Sequence, residues 1–480
     1  MRVPNEGLET EAIFATLQSY REGDLPWRQG RAFGFVFDAG LEAERIGKRA
    51  FMEFLSESGL DPTVFPSLLR LENEVVGMAA EHLRAPAGAA GNFTSGGTES
   101  ILLAVKAARD HARERRGGME RLKMLAPVTA HAAFHKAAAY LDVELVLVPV
   151  DPGTLRADVD AMRRAIDART FLLVGSAPSY AHGVVDPIRE MGALALERDL
   201  WLHVDGCIGG FLLPWLRELG AEISEFDFQV PGVSSLSMDF HKYAFCPKGA
   251  SVILYRDADL RRHQIYACAS WTGYALVNNT VQSTKSGGPL AATWAVLHHL
   301  GRAGYLDLAE KVQQTSRALA EGIEAIDGLS LMARPEMGLM AFVARGASVF
   351  EIADRMRGRG WYIQPQLAIA GLDESIHLSI NPGNHGFEAR FLEDLELSTL
   401  EAKGIPRSEL GAQVALGLGE MRASEISPEV LEQMLGMAGM SGVGVPAKMA
   451  EVNEVLNALS IELREAILKE FVNQLFEAAR

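Results

Sequence analysis

Between about residue 70 and residue 255 the sequence alternates stretches of helical periodicity with short apolar runs, "LKMLAPV", "ELVLVPV", "TFLLVGSAPS", "LWLHVDG" and "ASVILYR". Runs of that length, rich in Leu and Val and bounded by Gly, Pro and Asp, predict buried strands. Strands alternating with helices predict an α/β domain with a mostly parallel sheet. From about 290 to 400 a long helical stretch, "LAATWAVLHHLGRAGYLDLAEKVQQ", leads into "LSLMARPEMGLMAFVAR" and "SIHLSINP", the strands of a smaller α/β unit.

The C-terminal pattern differs. "MLGMAGMSGVGVPAKM" accumulates Met and Gly and is expected to be adaptable core or interface. In the stretch after it, Val455, Leu456, Leu459, Ile461, Leu463, Ile467 and Leu468 recur at helical spacing. A helix with such a face must bury it against its own subunit or a partner. The expected division is an N-terminal segment (1–70), a large domain (71–288), a small α/β domain (289–400) and a helical extension (401–480).

Composition narrows the function classes. At 480 residues the chain exceeds what one hydrophobic core usually supports. With 62 acidic against 46 basic side chains the net charge is −16, which gives no basic footprint and argues against a nucleic-acid partner. Cys207, Cys246 and Cys268 show no C-x-x-C spacing, so neither a disulfide framework nor a cysteine zinc site is expected, and a reducing cytoplasm fits best. The start, "MRVPNEGLETEAIF", lacks a basic segment followed by an apolar one, and no apolar run is long enough to span a bilayer. A cytoplasmic protein without a transmembrane segment is expected.

Three motifs carry chemistry. In "GNFTSGGTESILLAVKAARD", Gly96 and Gly97 allow a tight turn before a helix whose free N–H groups form an anion site, with Ser95 and Thr98 as further donors. Taken alone, the same residues make an ordinary capped turn. "DLWLHVDGCIGG" places Asp205 at the end of an apolar strand, at the sheet edge where open α/β folds bind ligands; the alternative is an Asp capping the next turn. In "SMDFHKYAFCPKGASVILYR", Lys242 sits between His241 and Tyr243 in apolar surroundings. Burial there is expected to lower its pKa and make it a nucleophile toward aldehydes, the alternative being a snorkelling surface lysine. Together, an anion turn, an acid and a nucleophilic lysine are what pyridoxal 5'-phosphate requires: a phosphate anchor, a partner for the ring nitrogen and an attachment point.

"TSGGTESILLAVKAARD", "HVDGCIGGFLLP" and "HKYAFCPKGASVILYR" resemble the motifs of the pyridoxal phosphate dependent sphingosine phosphate lyases, relatives of the group II amino-acid decarboxylases, over about residues 27 to 400. The resemblance implies the aspartate aminotransferase-like fold, fold-type I, and an active site at a homodimer interface. It implies that His131 of "TAHAAFHKAA" stacks on the cofactor ring, that Ser179 and His182 lie beside the cofactor, and that His241 meets its phosphate. It also implies that the "SGGP" loop with Gly288 reaches across from the other subunit and that Lys248 faces the substrate. His131 and His135 have a zinc-helix spacing, but the Glu of H-E-x-x-H is missing and no metal is expected.

Decarboxylases that resemble this chain hold the substrate carboxylate with an arginine near the last strand of the small domain. Here that stretch is "ESIHLSINPGNH", with Ile376 and His377, as in the lyases. Retro-aldol cleavage of a 2-amino-3-hydroxy substrate to an aldehyde and an amine is therefore expected, with amino-acid decarboxylation and a catalytically silent binding homologue as alternatives. The substrate would be a small-molecule or lipid-like amine. Phe37, Ser58, Asp61, Lys285 and Ser286 depart from the lyase pattern. Asp61 would repel a substrate phosphate and Phe37 lacks a hydroxyl, so both a phosphorylated long-chain base and a substrate with a different head group stay open.

Overall fold

The computed structural model describes residues 2–117, 121–406, 417, 421–427, 430 and 449–476. The predicted strands are present as β1 (Ala90–Thr94), β2 (Lys123–Pro127), β3 (Glu144–Val148), β4 (Thr170–Ser176), β5 (Trp201–Asp205), β6 (Val233–Met238) and β7 (Ser251–Tyr255). They form one seven-stranded sheet in the order β1-β7-β6-β5-β4-β2-β3, in which β7 is antiparallel to both its neighbours and the pairings from β6 to β3 are parallel.

Strand periodicity splits the apolar runs between two cores. Met124, Ala126, Leu172, Val174, Ile253 and Tyr255 face one side, while Leu125, Leu173, Val252 and Leu254 face the other. Burial on both faces is what turns these strands into continuous apolar runs in the sequence. After α1 (Thr10–Ser19), α2 (Leu41–Glu53) and α3 (Pro66–His82), helices α4 (Gly97–Arg116) and α5 (Ala132–Leu141) cover the first face. The second is covered by α3, α6 (Val159–Ala165), α7 (Ile188–Glu197) and α8 (Leu212–Glu218). After α9 (Ala258–Arg262), β8 (Tyr266–Cys268) and β9 (Leu276–Asn278) form a separate hairpin.

Helix α10 (Gly288–Ala325) joins the large sheet to a second, four-stranded one and bends at Gly301, whose φ of 55° interrupts the helix. That sheet is antiparallel, in the order β10 (Leu329–Leu331), β11 (Leu339–Ala344), β13 (Ser375–Ser379), β12 (Gln364–Gln366), and it is backed by α11 (Val349–Gly358) and α12 (Glu388–Ala402). The N-terminal segment is stitched to it: Phe33 donates its N–H to the Tyr362 carbonyl at 2.9 Å, and its ring lies 4.6 Å from that of Phe391.

The C-terminal amphipathic stretch is two helices, α13 (Ala450–Ala458) and α14 (Ile461–Leu475), broken where Ser460 caps the second. Leu459, Leu463 and Ile467 are buried with Met421, Ile426 and Val430, whereas Ile461 and Leu468 of the expected face are exposed. Helices α13 and α14 are tied to the loop between β12 and β13, with Asn457 accepting from the Ala368 N–H at 2.7 Å and Arg464 donating to the Ala368 carbonyl. The Met-rich stretch before it lies outside the described residues, apart from its last position. No described helix is long and apolar enough to cross a membrane.

Candidate active site

The carboxyl ends of β1, β5 and β6 and the turns after β2 and β4 converge on a cavity of about 380 Å³. Its lining contains Ser95 to Thr98, His131, Asp205, His241 and Lys242, residues far apart in the chain. This is the edge at which parallel strands leave room for ligands.

One end of the cavity is the turn from β1 into α4. Gly96 is extended, α4 begins at Gly97, and the first N–H groups of a twenty-residue helix point outward. Gly97 is required for space: a Cβ there would lie 2.8 Å from Cys207 Sγ and 2.9 Å from Asp239 Oδ2, whereas one at Gly96 would meet only the His241 ring at 3.6 Å. The turn is clamped from behind by the buried Glu99 carboxylate. It accepts the Ser95 N–H at 2.6 Å and reaches out of the helix to accept those of Val281 and Gln282 at 2.8 and 3.3 Å.

At the other end, Asp205 closes β5, buried, with Oδ1 accepting the Cys207 N–H at 3.0 Å. Its neighbour Cys207 is a buried thiol whose pKa is pushed well up by burial and by the Asp205 and Asp239 charges. His131 caps α5, its Nδ1 accepting the Ala133 N–H at 3.1 Å, and Tyr180 stands edge-on to its ring at 6.3 Å.

Lys242 Nζ lies 3.0 Å from Asp239 Oδ2, and His241 Nε2 lies 3.6 Å from the same oxygen. Here the structure corrects the sequence expectation. Burial does pull the Lys242 ammonium down, but the Asp239 and Asp205 carboxylates outweigh it, and the pKa is raised. The sequence showed the apolar neighbours of the lysine and not the anion folded against it, although Asp239 stands only three positions earlier.

The remaining expected residues distribute unevenly. Lys248 donates to the Phe35 carbonyl at 3.0 Å and lies 5.3 Å above the Phe37 ring, which in turn packs edge-on against Tyr243 at 4.9 Å. Ser179 and His182 are buried but do not line the cavity; Tyr180, between them, does. Ser179 Oγ, His182 Nδ1 and His377 Nε2 are buried there without hydrogen-bond partners. Gly288 opens α10, its N–H donating to Ser286 Oγ at 3.1 Å, and is not part of the lining.

Asp61 is exposed, with Oδ1 accepting from the Thr63 N–H and hydroxyl at 2.8 and 2.7 Å. Three departures from the lyase pattern come together: Ser58 pairs with Ser286, and the Gly59 N–H donates to the Lys285 carbonyl at 2.8 Å. Sequence reasoning missed Tyr180, Asp239 and Glu99. Asp239 and Glu99 lie inside motifs that had been singled out, but an acid within a motif has no signal of its own until its partners are known. Among the described residues no cluster of three side chains suited to a metal ion is present.

A family model described as the pyridoxal-dependent decarboxylase conserved domain matches residues 36–345, the span that contains every residue of this cavity. The chain belongs to that family. It is a pyridoxal-phosphate-dependent lyase of the sphingosine-1-phosphate lyase-like kind, with an α/β fold of fold-type I. It is 39% identical over 412 residues to the sphingosine-1-phosphate lyase of Arabidopsis thaliana, covering 84% of this chain and 74% of the relative. It is 34% identical over 413 residues to sphingosine-1-phosphate lyase 1 of Rattus norvegicus, covering 85% and 71%. The solved structure of the Burkholderia pseudomallei sphingosine-1-phosphate lyase matches with a TM-score of 0.80 at 36% identity, over 87% of this chain and 96% of that one. Glutamate decarboxylase of Lactobacillus brevis shares the fold, with a TM-score of 0.75 at 19% identity, over 85% and 96%. A second model, for the HTH-named C-terminal domain of pyridoxal-dependent enzymes, matches residues 411–474.

The cavity fits the coenzyme. Gly97 leaves open the cradle that a Cβ would fill, the helix N-terminus offers donors to a phosphate, Asp205 offers an anion to a ring nitrogen, and Lys242 offers the amine between them.

Proposed function

We propose that this lyase cleaves the Cα–Cβ bond of a 2-amino-3-hydroxy substrate, releasing an aldehyde and an amine, and that its substrates are long-chain bases whose head group is a phosphate or a related polar group. The observation that carries this reading is His377. The β13 position at which carboxylate-binding relatives would need an arginine holds a fully buried, neutral imidazole, its pKa lowered by burial to about 4. A neutral imidazole at that position offers a substrate α-carboxylate no charge to pair with. The activity named for the relatives supports the same choice.

The roles follow from position. Ser95, Gly96, Gly97 and Thr98 donate to the coenzyme phosphate, with His241 beside them. Lys242 is the attachment point, Asp205 holds the proton on the ring nitrogen, and His131 covers the ring face. Bound there, pyridoxal 5'-phosphate supplies an electron sink for the pair released when a bond to Cα breaks. Asp205 is suited to its part because a buried carboxyl group fixed by a backbone N–H is already oriented and needs no reorganisation. Ser179 and His182 flank Tyr180, the first assigned to the coenzyme and the second to the substrate, with Ser179 Oγ and His182 Nδ1 unpartnered. Lys248 and Phe37 form the cationic and apolar wall facing the substrate.

The chain assembles as a homodimer in the cytoplasm. Exposed Ile13, Phe14 and Leu17 of α1, and Tyr266, Trp271 and Tyr274 of the β8–β9 hairpin, supply apolar surface for a second copy. That copy brings Gly288 and its loop, with Asp61, to the mouth of the neighbouring site. A lipid-like substrate is captured from a bilayer surface or from solution.

Purified protein incubated with phosphorylated long-chain bases, and separately with a panel of amino acids, tests the choice of reaction. Aldehyde from the former is expected; carbon dioxide alone would overturn it. Lys242→Ala is expected to lose at least about 10³-fold in turnover.

A further inference from the structure

Asp239 is assigned no role by the reaction above, yet it is a buried acid of the cavity lining whose Oδ1 has no hydrogen-bond partner. It follows β6, is 2% exposed, and donates its own N–H to the Cys207 carbonyl at 3.0 Å. Its carboxylate lies directly against the anion-binding turn, within 3.0 Å of where a Gly97 Cβ would stand. An anion buried beside a phosphate site opposes the phosphate unless a cation shares its oxygens. Two such groups are in reach, Lys242 Nζ at 3.0 Å and His241 Nε2 at 3.6 Å.

Resting on the assignment of Lys242 as attachment point, we propose that Asp239 is a positioning residue serving these two cations in turn: it holds the Lys242 ammonium in the coenzyme-free enzyme, and passes to His241 once Lys242 is joined to the coenzyme. Uptake then begins by breaking an ion pair. The Lys242 ammonium gives one proton to solvent, its neutral nitrogen condenses with the coenzyme aldehyde carbon, and the aldehyde oxygen leaves as water. Burial holds the His241 imidazole below its ordinary pKa; Asp239, losing its first partner, and the incoming phosphate then place two anions beside it and favour its protonated form.

The groups facing these residues are few. Asp205 and Cys207 approach from the turn after β5, Tyr180 faces Lys242 across the cavity, Lys248 acts on His241 and Lys242, and the Ser251 hydroxyl approaches Asp239 from β7. Among the described residues, Asp239 is the acid within 4 Å of both cations.

The test compares the full chain with Asp239→Asn. In coenzyme-stripped protein, the rate of Lys242 acylation is followed against pH by peptide mass spectrometry. The Asn variant is expected to react about tenfold faster at pH 8, its profile displaced about one pH unit downward. Absorbance should show coenzyme uptake beginning at lower pH in the variant and coenzyme loss on the alkaline side also beginning at lower pH. His241→Gln should abolish the second displacement and leave the acylation profile in place. A purely structural Asp239 would lower thermal stability and move neither limb. If Asp239→Asn does not fold, Asp239→Ser carries the same expectation. A wild-type chain that takes up no coenzyme at Lys242 would overturn the reading on which this rests; one that does, with unmoved variant profiles, would overturn this inference alone.

Discussion

The phenol ring of Tyr180 lies on the imidazole of His377, with centroids 4.5 Å apart and planes inclined by 33°. The contact joins the loop after β4, which lines the cavity, to β13 of the small sheet. Tyr180 is held a second time by its hydroxyl, which donates to Gln364 Oε1 of β12 at 2.8 Å. Both anchors lie on one sheet, so the placement of this cavity wall depends on how the two sheets pack.

His377→Ala is therefore expected to destabilise the fold by about 2–4 kcal/mol, since it opens a cavity in a buried site and removes the hydrogen bond to the Ala181 carbonyl. Thermal melts measure the stability. Because Tyr180 loses one of its supports, KM should rise by a larger factor than kcat falls in steady-state assays.

Gly97→Ala should weaken coenzyme retention at least about tenfold, because the added methyl meets Cys207 and Asp239 at less than contact distance. Gly96→Ala meets only ordinary contact and is expected to retain the coenzyme several-fold better than Gly97→Ala. Equilibrium dialysis of the two variants decides the point.

Glu99→Gln puts an amide donor toward at least one of the three backbone N–H groups that the carboxylate now accepts. A lost buried acceptor costs about 1–3 kcal/mol. The phosphate turn and the 281–282 segment should loosen together, read out as faster trypsin cleavage after Lys285 and weaker coenzyme binding in the same variant.

Stability should fall as the solution is acidified from about pH 6.5 toward pH 4. His82, His182, His203 and His377 are each lowered to about 4 by burial, so over that window the unfolded chain binds protons that the folded chain refuses. Each pKa difference of one corresponds to about 1.4 kcal/mol. Asp186 works the other way: burial raises it to about 6, so its contribution is present at low pH and lost as pH rises from 3.8 through 6. Four imidazoles outweigh one carboxyl, and denaturant midpoints at pH 4.5 and 7 are expected to differ in favour of pH 7.

The sequence by itself determined the large sheet, because strands buried on both faces must be written as unbroken apolar runs, and it determined the separate motifs that end at Thr98, Asp205 and Lys242, because glycines before a helix and charges at strand ends are local features. Tertiary structure alone decided what those charges do to one another. Asp239 lies three residues from Lys242 in sequence, but its power to raise that amine depends on a distance of 3.0 Å and on exclusion of water, and neither is encoded in spacing. The same holds for His377, which the sequence offered only as the absence of an arginine; its contact with Tyr180 exists because two sheets nearly two hundred residues apart close on each other.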